Sequence, residues 1–91
     1  MNTPQITTID IALEIYYKYP EINNKNILAL FGNRSTATIN RLKQSVKAEM
    51  IARGVCSYSA YSVNTKIAYE VWGIDVDDLE RRRVKLKKLG L

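Results

Sequence analysis

The tightest constraint on this chain lies between two helical runs. Residues 24–31 carry Ile27, Leu28, Leu30 and Phe31 and stop at Gly32, and three residues later Ser35 opens a longer run. Glycine can turn the backbone left-handed without a Cβ clash, so it ends a helix readily. A side-chain oxygen of Ser35, or of Asn33 before it, can accept from a free amide of the following helix. That helix is predicted to run to Arg53 and stop at Gly54. In it Ile39, Leu42, Val46 and Met50 recur at spacings of 3, 4 and 4 and share one side. Gly32 therefore marks a turn inside one domain, not a boundary between two.

The rest of the chain reads as three more helices around this pair. Thr7 with Asp10 predicts a capping box, with Ile6 and Ile11 as its hydrophobic staple. The helix behind it, over 8–18, places Ile9, Ala12, Leu13, Ile15 and Tyr16 on an apolar stripe that ends before Pro20. Asn23 or Asn24 caps the short run that ends at Gly32. Residues 55–63 have no helical period and read as an extended connector or one short strand. Asn64 caps a fourth helix with Ile67, Ala68, Val71 and Trp72, ending at Gly73. Asp75 caps a fifth through Val76, Leu79, Leu86 and Leu89. The expected fold class is all-α, a helix-turn-helix core of three helices plus two C-terminal helices. Residues 1–54 form the first region of a single compact domain. Residues 55–91 form a connector and helices that pack on it or make a dimer contact.

Composition narrows the functional classes. The 91 residues carry 14 basic and 9 acidic side chains, a net charge of +5, which suits a polyanionic partner. The charge is uneven: residues 33–53 hold Arg34, Arg41, Lys43, Lys47 and Arg53 against Glu49 alone. There is no histidine, the commonest general base and metal ligand, so neither an enzyme nor a metal or cofactor site is expected. Cys56, the single cysteine, allows no internal disulfide and reads as a small buried hydrophobe in a reducing, cytoplasmic setting. No signal peptide or membrane span is expected. The tyrosines read as core or amphipathic contacts.

With Ile39 at the centre of the buried side of the third helix, Ala37, Arg41 and Gln44 project to the far side. Arg34, Asn40 and Ser45 flank them, and Thr36, Lys43 and Lys47 lie nearer one edge. These residue types suit a DNA groove: arginine pairs with guanine, asparagine or glutamine with adenine, and alanine or threonine methyls touch the thymine methyl. Ser35, Thr36 and Thr38, with free amides at the helix start, suit phosphate oxygens. A short helix, a glycine-containing turn and a second helix with one core face and one polar face have the form of a helix-turn-helix.

On these residues, from about Ile9 to Arg53, the chain resembles the trihelical helix-turn-helix domains of small regulators carried by bacteria, phages and mobile elements. The resemblance covers about half of the chain and rests on the helix pattern, Gly32 in the turn, and the Ser35, Thr36, Ala37, Thr38 start of the third helix. Counted from Gly32, Ile39 and Leu42 come one position later than in the tightest version of the motif, implying a longer turn. The resemblance implies sequence-specific binding of double-stranded DNA by a small transcriptional regulator, as a homodimer. Its DNA-binding residues would be Arg34, Ser35, Thr36, Ala37, Thr38, Asn40, Arg41, Lys43, Gln44 and Lys47. The alternatives are a protein-binding antirepressor or adaptor of the same shape, and a DNA-packaging or recombination accessory factor.

Two further expectations concern the second half of the chain. Val46, Ala48, Met50, Ile51 and Ala52 point in almost every direction, so the end of the third helix should be covered on more than one side, by the Trp72 helix or by a second copy. The last helix begins with acids and ends with Arg81, Arg82, Arg83, Lys85, Lys87 and Lys88, an order that complements the helix dipole and also suits a phosphate-binding tail.

Overall fold

A computed structural model describes residues 5–90. The elements are α1 (Ile9–Lys18), β1 (Glu21–Ile22), α2 (Asn24–Phe31), α3 (Thr36–Arg53), β2 (Val63–Asn64), α4 (Thr65–Val71) and α5 (Val76–Lys88). Among the described residues the chain is thus mostly helical, with five helices, and the two short strands form one antiparallel pair. Its register sets Glu21 opposite Asn64 and Ile22 opposite Val63.

Each helix starts on a side chain that accepts an amide hydrogen of its first turn. For α1 this is Thr8, which accepts from the Ile11 amide at 3.1 Å; the expected Thr7–Asp10 box does not form. Thr7 is instead turned toward α2, where its hydroxyl donates to the carbonyl of Ala29 at 2.9 Å. Asn23 and Asn26 cap α2 reciprocally, each accepting from the other's amide at 3.1 and 3.0 Å. Ser35 caps α3, Asn64 caps α4 and Asp75 caps α5. Gly32 closes α2 at φ 82°, and a Cβ there would lie 3.3 Å from the Thr7 methyl. Both conformation and space thus select glycine at this point.

The buried apolar residues make one cluster fed by every element, including Leu13, Ile22, Phe31, Ile39, Leu42, Val46, Val63 and Trp72. Two aromatic residues of α4 and its C-cap complete it. The Trp72 ring meets Phe31 edge to face, with centroids 5.3 Å apart, and its indole Nε1–H donates to the Leu42 carbonyl of α3 at 3.2 Å. Tyr69 is buried against Tyr16 and donates its hydroxyl hydrogen to the Ala12 carbonyl at 2.6 Å. Neither polar tip is left unpaired in the core, which is the condition for burying such rings.

The outer parts depart from expectation. Ala48, Ile51 and Ala52 are exposed, Ile51 to 79%, because α4 covers α3 on the Leu42 and Val46 side only. Leu79 is buried where α5 packs on α1, but Leu86, beside Ile9 at the rim of α1, and Leu89 are exposed. Cys56 is exposed on the loop between α3 and β2, and so are Tyr58 and Tyr61, so the buried-hydrophobe reading of Cys56 does not hold. Among the described residues no helix is long and apolar enough to cross a membrane.

Two expectations follow from the aromatic pair. Trp72→Ala should lower unfolding free energy by about 3–5 kcal/mol, read by denaturant titration. Burial, followed by the charge of Tyr16, raises the Tyr69 phenol above its ordinary value near 10. Its proton is then held more tightly in the folded chain. The contribution is complete below about pH 10 and is lost as pH climbs toward the folded value. Tyr69→Phe should flatten the fall of stability above pH 10 by the slope of one titrating proton, measured by denaturation across alkaline pH.

Candidate nucleic-acid interface

Four residues, 32–35, join α2 to α3. The Gly32 amide bonds to the Leu28 carbonyl at 2.8 Å, and Arg34 turns its Nε–H back onto the Phe31 carbonyl at 3.3 Å. The Ser35 Oγ accepts from the Thr38 amide at 3.2 Å and shares a hydrogen bond with Thr38 Oγ1 at 3.0 Å. The turn and the first turn of α3 are therefore fixed by local bonds. The amides of Thr36 and Ala37 open outward ahead of the capped one, as they do at any helix start.

From this start α3 presents a polar face. Thr36, Ala37, Asn40, Arg41, Gln44 and Lys47 are exposed, while Ile39, Leu42, Val46 and Met50 on the opposite side are buried. Among the described residues the side chains of Asn40, Arg41 and Gln44 make no intramolecular hydrogen bond or ion pair. Their donors and acceptors face solvent on a rigid helix. Thr38 is half-buried, with its hydroxyl engaged by Ser35.

Lys43 departs from the sequence reading. It is only 8% exposed, and its ammonium donates to Asn24 Oδ1 at 3.0 Å and to the Tyr61 carbonyl at 2.9 Å. The side chain bends off the edge of α3 into the gap between α2 and the loop of residues 55–62. Burial, and then the charge of Lys47, lower its pKa. It is a strut and not a free cation. Lys47 is exposed and donates to the Ala60 carbonyl at 3.3 Å, so it both fastens the loop and shows charge to solvent. Arg53 is tied to Glu49 and Glu70 at 2.8 and 2.7 Å, which removes it from the positive face.

Periodicity could not reveal the role of that loop. Glu21, in β1, holds its other side: one carboxylate oxygen accepts from the Tyr58 amide at 2.8 Å and the other from the Ser62 hydroxyl. Tyr61 and Ala60 are held by the two lysines of α3, and Tyr58, 92% exposed, stands out between the anchors. Exposed tyrosines thereby sit beside the polar face of α3. The one sequence signal was the pairing of Tyr58 and Tyr61 with serines, which mark a turn. Among the described residues no group of three or more cysteine, aspartate or glutamate side chains converges as metal ligands do.

Comparison with protein-family models, with curated proteins and with solved structures gave no match.

The strut is testable. Lys43→Ala removes two bonds from a buried ammonium and should destabilise the chain by about 1–3 kcal/mol. It should also speed chymotryptic cleavage after Tyr58 and Tyr61. Equal cleavage rates in parent and variant would show that the loop does not depend on this side chain.

Proposed function

We propose that α2, the 32–35 turn and α3 work as a helix-turn-helix that binds double-stranded DNA sequence-specifically, and that the chain is a small, non-enzymatic transcriptional regulator of phage or mobile-element type. The observation that carries this reading is the unbonded face of α3. Asn40, Arg41 and Gln44 are exposed, adjacent and, among the described residues, free of internal partners, opposite a fully buried apolar side. Arginine, asparagine and glutamine are the side chains that make two-pronged contacts to guanine and adenine edges. Arg34, Lys47 and the amides at the start of α3 would hold phosphates on either side. Lys43 drops out of the contacting set and serves it indirectly, by fixing the loop.

The far end of α3 favours a protein contact. Exposed Ile51, with Met50, Val55 and Tyr58, lines an apolar groove. We assign it to a second copy, since paired copies read paired half-sites. An adaptor that uses this groove alone would need no DNA, and salt separates the two: phosphate contacts impose a steep loss of affinity with salt.

In fluorescence anisotropy against a site selected from a random duplex library, Arg41→Ala and Gln44→Ala should each cost about 1–3 kcal/mol, concentrated on the preferred sequence. Lys47→Ala should weaken all duplexes alike and reduce the salt slope by about one. Parent-like affinity in both Arg41→Ala and Gln44→Ala at physiological salt would leave α3 a solvated face and give the groove the function.

Sedimentation should show a dimer at micromolar concentration that Ile51→Glu converts to monomer. A parent that stays monomeric would remove the second copy from the groove.

A further inference from the structure

The last two turns of α5 run beside the start of α1, with Arg83 on Asp10 and Leu86 next to Ile9. Every residue from Glu80 to Gly90 is exposed, and residues 81–88 hold six basic side chains and no acid. Three of the six are committed: Arg81 and Arg82 share Asp78 at 3.7 and 3.0 Å, and Arg83 reaches Asp10 of α1 at 3.1 Å. Among the described residues Lys85, Lys87 and Lys88 have no acidic partner. The helix dipole does not account for them. It supplies roughly half a negative charge at the C-terminus, against three whole positive ones. Most of their potential is directed outward.

Contacts on α1 place this basic end relative to α3. Asp10, the partner of Arg83, stands in the first turn of α1, three residues after Thr7 and two after the Thr8 cap. Thr7 in turn bonds to the Ala29 carbonyl and lies against Gly32, where the turn into α3 begins. Arg83, Asp10, Thr7 and Gly32 therefore form a short continuous path. The basic end of α5 is thus linked, through the start of α1, to the turn that precedes α3.

We infer that Lys85, Lys87 and Lys88 form a second, sequence-independent contact with duplex DNA, engaging phosphates that flank the site read by α3. This rests on the DNA-binding reading of α3. An anionic membrane is the weaker match for the same charges. A membrane-surface helix needs a coherent apolar face, and Val84 lies about 200° around the helix from Leu86, which itself sits beside Ile9 of α1.

The test compares the 91-residue parent with the triple variant Lys85→Ala, Lys87→Ala, Lys88→Ala on duplexes of about one and about three helical turns around the selected site. On the long duplex the triple variant should lose at least about tenfold in affinity at physiological salt, and its salt slope should fall by about 2–3, near 0.9 per phosphate contact. Its preference for the selected site over a mismatched one should not change. The triple variant with arginine at the three positions should keep the parent slope, and circular dichroism should show equal helicity in all three proteins. A parent that binds duplex while the alanine variant shows the same slope and affinity overturns the α5 contact and leaves the α3 reading intact. A parent that binds no duplex overturns both. An unchanged slope together with lysine-dependent co-sedimentation on phosphatidylserine vesicles overturns the inference in favour of a lipid surface.

Discussion

The fold depends on one pair of backbone segments, Ile22 against Val63, two fully buried residues paired across 41 positions of sequence. The pair draws the chain that leaves α3 back between α1 and α2. It is secured at its end by Thr65, whose hydroxyl donates to the Tyr19 carbonyl at 2.7 Å and whose amide donates to that of Pro20 at 3.1 Å. Only with this return fixed does α4 lie on α3, with Tyr69 over α1 and Trp72 against Phe31 and Leu42. The entropy of closing so long a loop grows slowly with its length, and the apolar surface that α4 buries is what offsets it.

The same return creates the loop beside α3 and decides how it is held. Its two sides are gripped by groups of opposite charge, the Glu21 carboxylate on one and the Lys43 and Lys47 ammonium groups on the other. All of them bind backbone amides, hydroxyls or carbonyls and not each other. Bonds from charged groups to fixed neutral partners are stronger than neutral ones, and they hold a segment that has no apolar core of its own. The exposure of Tyr58 follows: the loop's bonds are satisfied from below, so its aromatic side chain need not turn inward.

The sequence made the helices legible because each carries its own start, stripe and stop within a few residues. The apolar side of α3, the caps Asn23, Ser35, Asn64 and Asp75, and the stops at Gly32 and Gly54 can all be read locally. The β1–β2 pair could not be, since two residues are too few to display a period and the partner lies 41 positions away. The cap of α1 was misassigned by one residue because Thr7 and Thr8 are chemically alike; the choice is made by α2, whose carbonyls take Thr7. Lys43 escaped for the same reason. Its place on the edge of α3 is legible, but only the folded loop supplies the Tyr61 carbonyl that draws its ammonium inward. The exposed character of Asn40, Arg41 and Gln44 was readable from periodicity, whereas their lack of partners among the described residues could be seen only once the neighbouring elements were in place.

That lack of partners separates two kinds of selection on one helix. Exposed, unbonded helical side chains exchange with small effects on stability, and such effects add because the residues share no network. Ile39, Leu42 and Val46 on the reverse side are bound to the whole core and have no such freedom. Lineages descended from this chain could therefore rewrite positions 40, 41 and 44 repeatedly over an unchanged scaffold. Divergence would accumulate on one side of α3 while the other stayed fixed, and the exposed face would change by substitution without passing through an unfolded intermediate sequence.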